Sequence, residues 1–268
     1  MITLTGKITS GTINYGTISN SVSITSTADI VNTSNSNSET SFAISNSSTG
    51  ALTISGGTVS ATSGYAVCNN TGTVSISGGT VSATSGYAVY DQSFGTGGKI
   101  TVSGTTKVIS ASPFATIAVM TSIYGNTKLE MTGGTVENTG TGTAMSLPRL
   151  SISGGTVSAT SGYAVTASDS YAYVYITVSG TAKVTSATTT KSTIYLRYNE
   201  TDTALNITGG TVENTGSGKA IENDSKCAIS ITGGTVSAPL GYAVYNRGTG
   251  KVTIGPGATI VGNNYGIQ

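Results

Sequence analysis

From Leu52 onward apolar and polar positions alternate. Leu52, Ile54, Val59 and Ala61 are set among Thr53, Ser55, Thr58 and Ser60, with the pair Gly56 and Gly57 at the centre. A period of two sends one set of side chains to a buried face and the other to water, which is the pattern of a half-buried strand. After a short polar break, Tyr65 to Val67 supplies a third short strand. The phrase Ile-Ser-Gly-Gly-Thr-Val-Ser-Ala-Thr-Ser-Gly-Tyr-Ala-Val begins at Ile54, returns at Ile76 and Ile152, and recurs with small changes at Ile231. A unit repeated at this interval buries its apolar side only by stacking on the next copy.

Aligning the repeats on the apolar residue that leads into the glycine corner gives the anchors Leu4, Ile24, Ile54, Ile76, Val102, Met131, Ile152, Val178, Ile207, Ile231 and Ile254, with a mean step of 25 residues. That step is too short for a four-stranded propeller blade and suits one turn of a parallel β-solenoid. The expected fold is therefore all-β, a right-handed parallel β-helix of about eleven turns of three short strands, with almost no helix. It forms one domain, residues 1–268, in which residues 1–50 are divergent first turns and residues 51–268 regular repeats. Strand spacing makes this a rod on the order of 50 Å long.

A longer period lies beneath the first. Gly78 and Gly154, Gly104 and Gly180, and Gly133 and Gly209 are each 76 residues apart, so three consecutive repeats form a larger unit. In this register Lys107 and Glu137, and likewise Lys183 and Glu213, are diagonal neighbours on one outer face. Exposed pairs of this kind contribute only about 0–1 kcal/mol, so they mark register rather than stabilise.

Composition narrows the chemistry. The chain has no His, which removes His-based acid–base catalysis, His-dependent triads and most catalytic zinc sites. Charged residues are 9% of the chain and the net charge is +1, with no basic patch evident along the sequence, so nucleic acid is not an expected partner. No apolar run is long enough to cross a bilayer as a helix, so membrane insertion is not expected, and no secretory signal peptide is visible. The opening Ile-Thr-Leu-Thr is strand-like, and the chain is expected to be a segment of a larger exported protein whose leader and anchor lie elsewhere. Cys68 and Cys227 fall seven repeats apart, too far for a disulfide within one chain, and neither has metal-site spacing.

Candidate sites are few. The acid pairs Glu200 with Asp202 and Glu222 with Asp224 fall in polar connections and read as solvated loops; no catalytic residue, metal ligand or cofactor is assigned. Tyr65, Tyr87, Tyr163 and Tyr242 share one slot, which Thr143 and Lys219 occupy in other repeats. A slot that accepts Lys is expected to be a partly wet corner. Tyr171, Tyr173 and Tyr175 differ, because Val174 and Ile176 continue the inward set and leave the three rings outside. With Tyr195, Arg197 and Tyr198 from the following long segment they make a candidate patch for stacking sugars or contacting protein. An ice-binding lattice of Thr and Ser is disfavoured, because Glu130 and Asn206 interrupt the row.

The recurring Ile-Ser-Gly-Gly-Thr-Val-Ser-Ala-Thr with its trailing Gly-Tyr-Ala-Val resembles the Gly-Gly-Thr-Val repeats of large bacterial cell-surface proteins, and more broadly the pectate-lyase-type right-handed β-helix. The resemblance covers the chain from Ile54 onward and, more loosely, the first fifty residues. It implies an extracellular, cell-surface repeat region engaged in adhesion or carbohydrate contact; with uniform turns, short corners and no catalytic groups, the leading reading is a non-enzymatic adhesin or structural spacer, with polysaccharide or a host or cell-surface protein as partner. A carbohydrate-binding module using exposed Tyr is the second reading and a polysaccharide lyase the third. Arg149, Arg197 and Arg247 have no acidic cluster of the lyase kind beside them, so no lyase residue is carried over. Unfinished repeats at either end make end-to-end self-association a further expectation.

Overall fold

The computed structural model describes residues 2–4, 7–8, 13–15, 22–25, 28–33, 41–47, 49–93, 98–119, 127–167, 173–197, 203–263 and 266–268. Among these there is no helix, and every paired strand is parallel to its neighbour. The fold is a parallel β-solenoid built from a wide sheet of 15 strands and a second sheet of 10. The anchors follow one another in the wide sheet as the sequence predicts: Leu4 pairs with Ile24, Ile24 with Ile54, Ile54 with Ile76, and so on to Ile231 with Ile254.

Parallel strands lie about 4.8 Å apart, so residues at one offset from the anchor form a column along the axis. The inward columns are aliphatic. Ile54, Ile76, Val102, Met131, Ile152, Val178, Ile207 and Ile231 are fully buried, as are Val59, Val81, Val108, Val136, Val157, Val184, Val212 and Val236 beside them. Each such side chain contributes roughly 1.5–3 kcal/mol by leaving water. Lys107 lies opposite Thr135 while Glu137 lies opposite Ile109, and Lys183 and Glu213 repeat the relation, so both pairs share an outer face as the register requires.

In the Gly-Gly repeats the first two expected strands are one bent strand. Ala51–Ala61, Thr73–Ala83 and Arg149–Ala159 each run through the glycines with a register shift there. In the Ser-Gly repeats they separate, as Lys99–Val102 with Lys107–Ser110 and as Val174–Val178 with Lys183–Ser186. The second glycine of a pair carries a demand that the first does not. The second has φ between +70° and +80° in all six pairs, a left-handed conformation open to Gly and strained for residues with a Cβ. Most first glycines are packed by the preceding repeat: a Cβ at Gly154 would stand 2.5 Å from the Thr132 carbonyl oxygen, and one at Gly78 2.3 Å from that of Ser55.

The second sheet ends its strands with buried amides that the alternation pattern did not foresee. Asn46 Nδ2 donates to Asn69 Oδ1 at 2.8 Å, Asn69 Nδ2 donates to Asp91 Oδ2 at 2.8 Å, and Asn223 Nδ2 donates to Asn246 Oδ1 at 2.8 Å. Asp91, fully buried, also accepts from the Ser93 backbone N–H and from the hydroxyls of Ser93 and Thr127. These ladders satisfy polar groups that could not otherwise be buried without cost. Cys68 and Cys227 are both buried and are not joined to each other by a disulfide, in keeping with their distance along the axis.

Two outcomes follow. Gly154→Ala and Gly155→Ala each destabilise the fold by about 1–3 kcal/mol in urea titration, through clash at Gly154 and through clash and strain together at Gly155, whereas Ser230→Ala on the outer face stays within about 0.5 kcal/mol. Asn223→Ala, which strands the Ser225 N–H and Asn246 Oδ1, costs about 1–3 kcal/mol by the same measurement.

Candidate functional site

The six residues of the predicted patch do not come together. Tyr171 and Tyr198 lie outside the described residues. Tyr173 and Tyr175 are 47% and 45% exposed, with Val174 and Ile176 buried between and beyond them, as the alternation requires. Tyr175 belongs to the wide sheet, where it pairs with Arg149 and Ala204, and Tyr173 stands just ahead of that strand. Tyr195 stands in the second sheet, in Ser192–Leu196, between Thr166 and Glu222, and Arg197 follows that strand. The long segment between the two groups carries the chain from one sheet to the other, so closeness in sequence does not make one surface.

The wide-sheet half is a site of its own. The residue three places ahead of each anchor forms one outward column: Lys99, Lys128, Arg149 and Tyr175 occupy consecutive strands. This is a basic row, which corrects the expectation that the chain has none. Its cations are 29 and 21 residues apart in sequence, so a search for adjacent charges misses it. The anchor alignment, extended outward by three positions, would have found it.

Glu130, in the next outward column, answers two of these cations, with Lys99 Nζ at 2.8 Å and Lys128 Nζ at 2.7 Å. Hydrogen bonds from Lys128 and then Lys99 hold its carboxyl down at about 2, against an ordinary value of 4.5. Arg149 has no carboxylate partner among the described residues. Its guanidinium carbon stands 5.9 Å from the centre of the Tyr175 ring, a cation–π contact, and its Nε is buried without a hydrogen-bond partner. Lys128, Arg149, Leu150, Ser151, Tyr175 and Thr177 line a depression of about 380 Å³, at the small end of the range for ligand sites. Cations and a ring form one side and hydroxyls the other.

The second-sheet half is a closed network. Tyr195 stacks on Tyr163 with ring centres 5.0 Å apart and donates from its hydroxyl to Asp224 Oδ2 at 3.0 Å. Arg247 donates to both oxygens of Asp224 and reaches Glu222 Oε1 at 3.3 Å, which Lys219 Nζ also approaches at 3.2 Å. Lys219 and Arg247 both stand over the Tyr245 ring. Glu222 corrects the solvated-loop expectation: it lies within the strand Lys219–Asn223, only 7% exposed, with its charge met by two cations. Among the described residues no three acid, Cys or His groups gather as a metal site. Glu200 and Asp202 lie outside the described residues.

The shared Tyr slot is also drier than expected in one repeat. Tyr65 is buried at 6% exposure, because the rings of Tyr87, 5.4 Å away, and Tyr90, 4.7 Å away, cover it. Where Lys219 takes the slot it lies opposite Ser192, and its ammonium is met by Glu222. The slot accepts Lys through a local partner rather than through general wetness.

Burial, and then the bond to Asp224, push the Tyr195 phenol up to about 12 from an ordinary 10.0. A raised phenol favours its neutral form in the folded state, so its contribution is whole below pH 10 and is lost as pH rises from about 10 through about 12. Burial also raises the Tyr163 phenol, so absorbance titration should show late-ionising Tyr that include Tyr195, and Asp224→Asn should bring Tyr195 earlier. For Glu130 the sign is opposite: its contribution is present above pH 4.5 and lost as pH falls through about 2. No protein-family model, no curated protein and no solved structure matches the chain.

Proposed function

We propose that this chain is a non-catalytic repeat domain of an extracellular bacterial surface protein, a stiff spacer that contacts carbohydrate on the outer face of its wide sheet. The observation that carries the reading is the exposed Tyr175 ring beside the depression formed with Arg149 and Lys128, with Tyr173 a further exposed ring just ahead of its strand. An exposed ring flanked by hydrogen-bonding groups suits a sugar, whose apolar face stacks while its hydroxyls bond at the rim. Ser151 and Thr177 supply hydroxyls on the opposite side.

Stiffness comes from continuous parallel pairing and an unbroken aliphatic core. The winding is right-handed in this proposal, the hand that crossovers between parallel strands of one sheet take in nearly every case. A lyase reading is weaker: the chain has no His, and the neighbouring acids Glu222 and Asp224 are both engaged by Arg247.

Pull-down on insoluble polysaccharides and glycan arrays test the reading. Binding should be lost in Tyr175→Ala, weakened in Tyr173→Ala, and retained in Phe114→Ala, which removes an exposed ring stacked on Tyr87 away from this face. Absence of binding to every glycan, or equal loss in all three variants, contradicts it.

A further inference from the structure

Like charges directly opposite one another on neighbouring strands destabilise a sheet. The row of Lys99, Lys128 and Arg149 sets three cations on consecutive strands about 4.8 Å apart, with Glu130 the one acid that meets them among the described residues. The same column carries uncharged residues on both sides, Thr73 before it and Tyr175 and Ala204 after it, so the repeat itself does not demand Lys or Arg here. A locally unfavourable arrangement confined to three strands and bordering a depression is what a ligand site leaves in an otherwise consistent repeat. Moreover, Arg149 has a buried Nε without a hydrogen-bond partner and meets no carboxylate among the described residues.

We infer that the ligand of this face is a sulfated polysaccharide lying along the solenoid axis, its sulfate esters over Lys99, Lys128 and Arg149 and a sugar ring against Tyr175. This rests on the carbohydrate reading and adds to it the charge and direction of the strand. Direction follows from the row, since the cations run across strands and therefore along the rod. Charge follows from the donor set: two ammonium groups, one guanidinium fork, and the Ser151 and Thr177 hydroxyls across the depression. A sulfate ester offers three acceptor oxygens, enough for the guanidinium and a hydroxyl together, whereas a carboxylate has two. The Tyr175 ring and the hydroxyls beside the cations suit a polymer with sugar faces better than a bare chain of charges.

The test is retention of the intact chain on immobilised dextran sulfate, a uronate polymer, neutral dextran and single-stranded DNA, eluted by a salt gradient. Dextran sulfate should retain the chain most strongly. Arg149→Gln and Lys128→Gln should each weaken binding roughly tenfold. Lys107→Gln, on a different outward column, should leave it unaltered, and circular dichroism of all variants should match the parent. Retention on neutral dextran that Tyr175→Ala abolishes and Arg149→Gln does not would overturn the anionic ligand and leave the carbohydrate reading standing. Equal retention on the uronate polymer overturns the choice of sulfate, and equal retention on DNA overturns the glycan. No retention on any of the four overturns both readings.

Discussion

The molecule depends on one constraint, the parallel register in which each repeat sets its side chains directly over those of the repeat before. Once Ile54 stands on Ile24 and Ile76 on Ile54, every residue at a fixed offset from these anchors is carried into a column, whatever its chemistry. Aliphatic residues in such columns make the core. Amides make ladders in which one side chain donates to the next, as from Asn46 through Asn69 to Asp91. Cations make a row that must find its own compensation. Core, polar ladder and candidate site are thus three results of one geometric rule.

The glycine corner shows how the rule is enforced. A repeat of this size must bend sharply without opening a gap to its neighbour, and two separate demands meet at Gly154 and Gly155. Both glycines let the preceding backbone approach, and the second also adopts a left-handed φ. Where a single glycine serves, at Gly104 and Gly180, φ is again positive but the strand breaks in two. Adjacent repeats therefore differ in bend while keeping the same register on either side of it.

The sequence made the architecture readable because the anchors are chemically alike and evenly placed, and alternation around Leu52 and Ile54 separates inside from outside. It was less informative wherever position depends on which sheet a residue joins. Tyr175 and Tyr195 are twenty residues apart and were grouped, yet the path between them crosses from one sheet to the other. Lys99, Lys128 and Arg149 are far apart in sequence, yet they are neighbours in space. Glu222 reads as a loop acid because it sits among polar residues, but its strand neighbours Lys219 and Ile221 place it in the sheet, where Lys219 and Arg247 meet its charge. In a solenoid, offset from the anchor is a better guide to proximity than separation along the chain.

Spin labels on Ser75→Cys and Ser230→Cys test this rule most directly, since the two positions lie in one outward column six strand spacings apart. A single interlabel distance centred near about 29 Å is the expected result. A broad distribution, or a distance far from that value, would contradict in-register stacking and with it the basic row built on it.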